Sequence, residues 1–572
     1  MAIKSKVVRE VPNKSGFDKN FRNLLTAPVG TLVPVLVDEV IPGSNVHLKA
    51  LVSGSMAPLA TDTFMNVEYR MEAFFVPYRI LYGGFEDFLT ENENADISDL
   101  SNRAVPVLPH LGLPGEIAGQ APAEILPGSL SDYLGYTWNV NYGAPSGSSN
   151  TWVNIFPYLA YHKIYADHYR NALIQKDPFA KPFISTGYDF KNPTNLAAAL
   201  PWLSFDPALS TFPAIDLYKP DGTKDDSSCL ADGVYLGDLR QRNFDNDYFT
   251  IAQPSPQQGN ALSVSFSTSG SEGSFTIAQL RSANSLQQFA ELNSLAGPRM
   301  VDFVKAHYGA NLSDGVAQRS VYLGRSKMTI YSKGIYQTTN VGSQNKATEI
   351  NLGQPNPFSS IGSQYGSPYF ADNAHLIDNF EVNEPGVIMV LGSIVPRVTY
   401  STGLRRYLTH HYVTNAQRVN IADPLLQNVG NQPIYCSELD ARGDSAVFGY
   451  IDRFAEWMTK HDEVHGLIKD GQSLQAFALQ RTFGYDPSNP QRPVIGSDFL
   501  EIPRDFMNQV FAWRGYASDP TFPGYGEFGA WIDHFFEYKV AMPLAEYSLP
   551  TLQDPAYEHG KKVVVDRSGS KL

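Results

Sequence analysis

From Met65 to Phe75 every second residue is apolar: Met65, Val67, Tyr69, Met71, Ala73 and Phe75. Asn66, Glu68, Arg70 and Glu72 stand between them. A period of two is the repeat of an extended strand whose two faces meet different surroundings. Val46, Leu48, Ala50 and Val52 alternate with Asn45, His47 and Lys49 in the same way. TLVPVLVDEVI (31–41) forms a third strand, and Pro42-Gly43 supplies the turn after it. Pro34 marks that strand as an edge or a bulged one, because proline has no N–H to give to a neighbour. Further strands are expected near 386–400, 446–457 and 534–541. They lie hundreds of residues beyond the first group, so the sheet is built from both ends of the chain and the middle is inserted between its strands.

The middle carries helices. FPYLAYHKIYADHYRN (156–171) sets Tyr158, Tyr161, Tyr165 and Tyr169 at helical spacing. A second helical stretch runs from Ile277 to His307 and is broken at Gly297-Pro298. Around them lie long stretches rich in Pro, Gly, Ser and Asn, notably 91–150 and 172–238. Loops of that length are usually functional. A jelly roll, two antiparallel sheets closed over one core, needs roughly 150–200 residues at ordinary strand and loop lengths. The surplus in a chain of 572 residues is what a shell subunit needs, since its loops must reach several neighbours around symmetry axes.

Composition narrows the class. Apolar residues make up 43% and charged ones 18%, which excludes a disordered chain or a long coiled coil. No apolar run reaches the roughly 18 residues that span a bilayer, and the N-terminus has no apolar signal core, so no membrane insertion is expected. Cys229 and Cys436 are two distant thiols, which fits folding in a reducing cytoplasm. The net charge of −14 argues against a protein that coats nucleic acid over a large surface. Basic residues nevertheless gather at the ends. Lys4, Lys6, Arg9, Lys14, Lys19 and Arg22 stand against two acids within 1–22, and Lys561, Lys562, Arg567 and Lys571 against one within 560–572. Such ends suit an anionic partner.

Motifs of catalysis are weak. Gly524, Gly526 and Gly529 spell G-x-G-x-x-G, but the strand-then-helix setting of a dinucleotide site is missing. His461 and His465 in HDEVH lack the Glu directly after the first His, so they read as loop histidines rather than zinc ligands. Asp245 and Asp247 could offer oxygens to a hard cation, but capping or turn roles suit them better. Arg442-Gly443-Asp444 reads as a turn. The tyrosine stripe could stack bases, yet packing against a sheet is the simpler role. No catalytic residue, metal site or cofactor is expected.

Several segments resemble the major capsid proteins of gokushovirus-like microviruses, in that family's order. They are KSGFDKNFRNLLTAPVGTLVPV (14–35), MNVEYRMEAFFVPYRILYGGFEDFL (65–89), SDYLGYTW (131–138), FPYLAYHKIYADHYRN (156–171), NDYFTIAQPSPQQG (246–259), FTIAQLRSANSLQQFAE (275–291), VAQRSVYLG (316–324), GVIMVLGSIVPRVTYSTGL (386–404) and FGYIDRFAEWMTKHDEVHG (448–466). The resemblance implies a mainly β protein, an eight-stranded viral jelly roll (a two-sheet antiparallel β-barrel) with long inserted loops and a few helices. It implies a T=1 icosahedral shell of sixty copies, built in the host cytoplasm around a circular single-stranded DNA genome. Its partners would be an internal scaffolding protein, a DNA pilot protein, a small basic DNA-binding protein and a host surface receptor, with glycan as one candidate. The chain then divides into an internal N-terminal arm (1–26), one jelly-roll domain (27–550) with insertions near 91–150, 172–238 and 260–380, and a tail (551–572). Lys4, Lys6, Arg9, Lys14, Lys19 and Arg22 become the expected contacts to DNA or scaffold. Two places depart from the family pattern: only STSGSEGS (267–274) fills the place of a surface projection, and 409–439 strays. The rival reading is a carbohydrate-binding or carbohydrate-cleaving β-sandwich, which Tyr-rich loops and 58 Asp plus Glu would allow.

Overall fold

The computed structural model describes residues 6–11, 14–81 with short breaks, 110–112, 128–136, 152–175, 239–256, 277–338 with short breaks, 363–409, 431–441, 446–481, 493–511, 529–544 and 561–566, with a few isolated positions besides. Its strands in chain order are β1 (Lys6–Val11), β2 (Ser15–Asp18), β3 (Phe21–Ala27), β4 (Val33–Val40), β5 (Asn45–Met56), β6 (Val67–Pro77), β7 (His110–Gly112), β8 (Trp152–Asn154) and β9 (Val321–Thr338). There follow β10 (Ser363–Glu381), β11 (Gly386–Pro396), β12 (Thr399–Tyr400), β13 (Asn431–Tyr435), β14 (Val447–Asp452), β15 (Gln480–Arg481), β16 (Ala530–Met542) and β17 (Lys561–Asp566).

Nine of these join edge to edge in the order β2-β16-β5-β10-β9-β6-β11-β4, with β3 also on β16. All neighbours in this sheet are antiparallel. Two long strands carry it round a corner. Val321–Ile330 of β9 pairs with β6, whereas Tyr331–Thr338 pairs with β10. Tyr369–Glu381 of β10 then pairs with β5. Register shifts beside Pro368, Ile377 and Phe380 mark where the ladder bends. The product is a curled antiparallel half-barrel, the mainly β architecture expected of a jelly roll. β16, from the far end of the chain, lies between β5 and the N-terminal strands, so the sheet does draw on both ends.

The alternation read in the sequence fixes the faces. Val67, Tyr69, Met71, Ala73 and Phe75 point into the barrel core with Val46, Leu48, Ala50, Val52, Ile388, Val390 and Phe536. Gly54 admits the Phe370 ring, for a Cβ there would lie 2.3 Å from the ring edge. β11 is buried along its whole length because both faces are covered, which is why GVIMVLGSIVP is apolar without alternation. Phe74, Val76, Val387, Met389 and Leu391 point the other way, into a second core beneath the helix Phe156–Ile164. That helix runs on as a wider turn over Tyr165–Tyr169. Its tyrosines serve this core rather than open bases: Tyr158 donates to Ser131 Oγ at 2.8 Å, and Tyr161 to the Leu32 carbonyl at 2.8 Å. Pro34 lies on the edge strand β4, opposite a register shift in β11.

One expectation needs correcting. The segment 446–457 gives β14 and then a helical turn, Ala455–Met458, and β14 pairs with β13 in a separate ribbon rather than joining the barrel. Within the expected arm (1–26), β2 and β3 hydrogen-bond to β16.

His534 sits fully buried on the inner face of β16, its Nε2 2.8 Å from the Tyr69 hydroxyl. Burial pushes its pKa down to about 4. The unfolded histidine, at about 6.5, therefore takes up a proton first as pH falls. Stability from this group is whole above about pH 6.5 and is lost as pH drops towards 4, on the order of 3 kcal/mol in all. Thermal unfolding midpoints should fall more steeply over that window in the natural chain than in His534→Gln. Parallel curves would contradict this assignment.

Candidate functional site

The polar face of β6 is not solvated. Arg70 and Glu72 are nearly buried, because residues 239–256 lie across them. The two segments are complementary in charge: Arg70 and Glu72 on the strand meet Asp245 and Arg242 on the crossing chain. Arg70 makes a two-pronged pair with Asp245, at 2.6 and 2.5 Å, and reaches Glu68 at 2.7 Å. Arg242 donates to Glu72 at 2.7 Å and to Ser393 Oγ at 3.1 Å, and Tyr169 donates to the same Glu72 oxygen at 2.5 Å. Burial alone would push the Glu72 carboxyl up, but Arg242, Tyr169 and Arg70 pull it below the ordinary range. Asp245 is likewise raised by burial and lowered further by Arg70. Both carboxylates are fixed charges in paired sites, and neither is poised to give up a proton.

The crossing segment is stitched on every side. Its backbone pairs with Gly30 and Leu32, with Leu500 and Ile502, and reciprocally with Tyr450 of β14 through Gln253. Asp247 forms a turn, accepting from the N–H groups of Phe249 and Thr250 at 2.9 and 2.8 Å and from the Tyr400 hydroxyl at 2.7 Å. Asp247 thus takes the turn role expected of it, whereas Asp245 is held in an ion pair by Arg70 instead of capping or turning the chain. A cavity of about 740 Å³ opens beside them, rimmed by Lys327, Arg397, Asp462 and His461. Lys327 approaches Glu68 at 3.7 Å, and Arg397 pairs with Asp462 at 2.7 Å. His461 packs among Tyr248, Phe249 and Tyr400, and both it and His465 approach Glu463, which Arg405 also holds. Cys436 is a buried thiol that reaches the Pro493 carbonyl at 3.5 Å. Gly529 is described, whereas Gly524, Gly526, Arg442-Gly443-Asp444, Cys229 and 267–274 lie outside the described residues.

The six basic residues of the N-terminus fall into two groups. Lys4 lies outside the described residues, and Lys6 and Arg9 belong to β1, which pairs with β17. The structure therefore joins the two basic ends of the chain as one antiparallel ribbon. In its register Lys6 faces Asp566 and Glu10 faces Lys562, whereas Arg9 faces Val563 and Lys561 faces Val11. Lys14, Lys19 and Arg22 meet acids of the body instead. Lys14 reaches Asn45 at 2.8 Å and Glu381 at 3.6 Å, Lys19 pairs with Asp38 at 2.5 Å, and Arg22 grips Asp533 with two bonds of 2.7 and 2.5 Å. Sequence reasoning missed this pairing and the buried network on β6. The complementary charges of 68–72 and 240–247 were the one available signal.

The described residues form a curled antiparallel half-barrel to which a crossing segment is fastened by paired carboxylates and arginines. Residues 5–552 match the capsid protein (F protein) family, and the chain belongs to that family. Capsid protein VP1 of Chlamydia phage 1 is 25% identical, over 95% of this chain and 97% of its own. The VP1 capsid proteins of Bdellovibrio phage phiMH2K and Spiroplasma virus 4 are 24% and 23% identical, over 94% and 92% of this chain. The protein is a major capsid protein and a component of the virion, and it assembles into a shell. The carbohydrate-active alternative falls with that finding.

Removing one member of a buried pair strands the other, at a cost of about 3–5 kcal/mol. Glu72→Ala should lower the thermal midpoint and loosen residues 239–256, read as faster amide exchange there than in β16. Unchanged exchange across 239–256 would contradict the clamp.

Proposed function

We propose that sixty equivalent copies of this chain close a T=1 icosahedral shell around a circular single-stranded DNA genome, acting by self-assembly and without catalysis. The observation that carries the reading is the family match over nearly the whole chain. Shell closure multiplies modest contacts through symmetry. Among the described residues no helix is long and apolar enough to cross a membrane. In this reading assembly takes place in the host cytoplasm. An internal scaffolding protein, a DNA pilot protein and a small basic DNA-binding protein take part, and surface loops meet a host receptor, with glycan as one candidate.

An acidic shell neutralises few phosphates, so contact with DNA or scaffold falls to the basic ends. Within the set Lys4, Lys6, Arg9, Lys14, Lys19 and Arg22, the last three have partners on the same chain, so the test is placed on the first three. The ribbon of β1 and β17 adds Lys561 and Lys562 beside them. A phage carrying Lys4→Gln, Lys6→Gln and Arg9→Gln should yield particles that hold severalfold less nuclease-resistant DNA. A normal DNA content would overturn the role of the ends and leave the shell reading standing.

A further inference from the structure

We infer that one face of the β1–β17 ribbon, the face that carries Arg9 and Lys561, meets the phosphate backbone of the enclosed single-stranded DNA. The inference rests on the shell reading and deepens it, because it separates two faces of what is otherwise one basic patch. Successive residues of a strand belong to opposite faces, so the register sorts the ribbon. Lys6, Glu10, Lys562 and Asp566 fall on one face. Arg9 and Lys561 fall on the other, whose remaining positions are all valine.

The two faces differ in charge. On the first, each cation stands opposite an acid, Lys6 across from Asp566 and Lys562 across from Glu10. Unlike charges directly across a ladder stabilise it, so this face helps to hold the two strands together. On the second, Arg9 stands opposite Val563 and Lys561 opposite Val11. Pairing the two ends of the chain thus gathers two cations onto one face and leaves both acids of the ribbon on the other. Arg9 and Lys561 are diagonal neighbours in this register, about 7 Å apart at the backbone, near enough to act on one stretch of a polyanion.

Composition decides the kind of occupant. A protein contact is ordinarily built around aromatic residues, and no aromatic residue occurs in either strand. The bases along a packaged genome differ from one subunit to the next, so a contact repeated on every copy must be made to the backbone. Two cations among valines supply charge for phosphate and no amide or hydroxyl side chain to read a base edge. Among the described strands, β1 and β17 pair only with each other. Two strands alone are marginally stable in water, so a ligand that binds the ribbon also orders it. Residues 12–14 join β1 to β2, which β16 holds, so the cations stay close to the sheet instead of riding on a long tether.

The test compares two pairs of substitutions that remove the same charge from opposite faces. Particles with Arg9→Gln and Lys561→Gln should hold severalfold less nuclease-resistant DNA than natural particles. Particles with Lys6→Gln and Lys562→Gln should hold a near-natural amount. Equal losses from both pairs reduce the effect to bulk charge and overturn the assignment of the face, as does a normal DNA content in the first pair. A fall in particle number with normal DNA in the particles that form assigns the face to an acidic assembly partner and overturns it too. A second readout needs no substitution: acetylation of lysines in natural filled particles and in empty shells, located by mass spectrometry. Lys561 should react severalfold more slowly in filled particles than in empty ones, and Lys562 alike in both. Unchanged reactivity of Lys561, or equal protection of both lysines, overturns the inference and leaves the shell reading intact. Absence of any particle in native material overturns the shell reading itself.

Discussion

The pairing of Arg70 with Asp245 and of Arg242 with Glu72 is the constraint on which the rest of the fold depends. Arg242, Glu72 and Arg70 are largely out of water, where a charge is costly unless paired and hydrogen-bonded, while Asp245 holds Arg70 from the half-exposed rim, so this arrangement tolerates few alternatives. It fixes where residues 239–256 cross β6. That crossing segment in turn touches the loop before β4, the 500–502 stretch and β14, which come from three distant parts of the chain. Tyr169 ties the end of the long helix to the same Glu72. A chain whose sheet is assembled from both ends needs such a hub, because sequence neighbours do not hold its strands together.

The strands that alternate were legible because their pattern is local. Val67–Pro77 declares two unlike faces, and Pro34 declares an edge, without reference to any partner. The tyrosines of Phe156–Tyr169 likewise announced a packed helix. What was not legible depends on partners hundreds of residues away. The destination of β14 is set by β13 and Gln253, not by its own residues. The basic charge of Lys19 and Arg22 is visible in the sequence, while Asp38 and Asp533, which answer it, are not adjacent. The alternation on β6 was plain, but whether its charged face met water or another segment was open until the crossing chain was placed.

The same economy explains why an acidic protein can enclose an acidic polymer. Among the described residues Arg22, Arg70, Arg242 and Arg405 are held by acids of the same chain, and the net charge is −14, so the body is poorly suited to phosphate. The two ends are set apart from this and joined to one another.

The measurement that bears most directly on this account is the mass of the native particle, by analytical ultracentrifugation with negative-stain imaging. Sixty chains of 63.2 kDa predict a uniform round particle with about 3,800 kDa of this protein. Native material made only of monomers and small oligomers would contradict the account at its root.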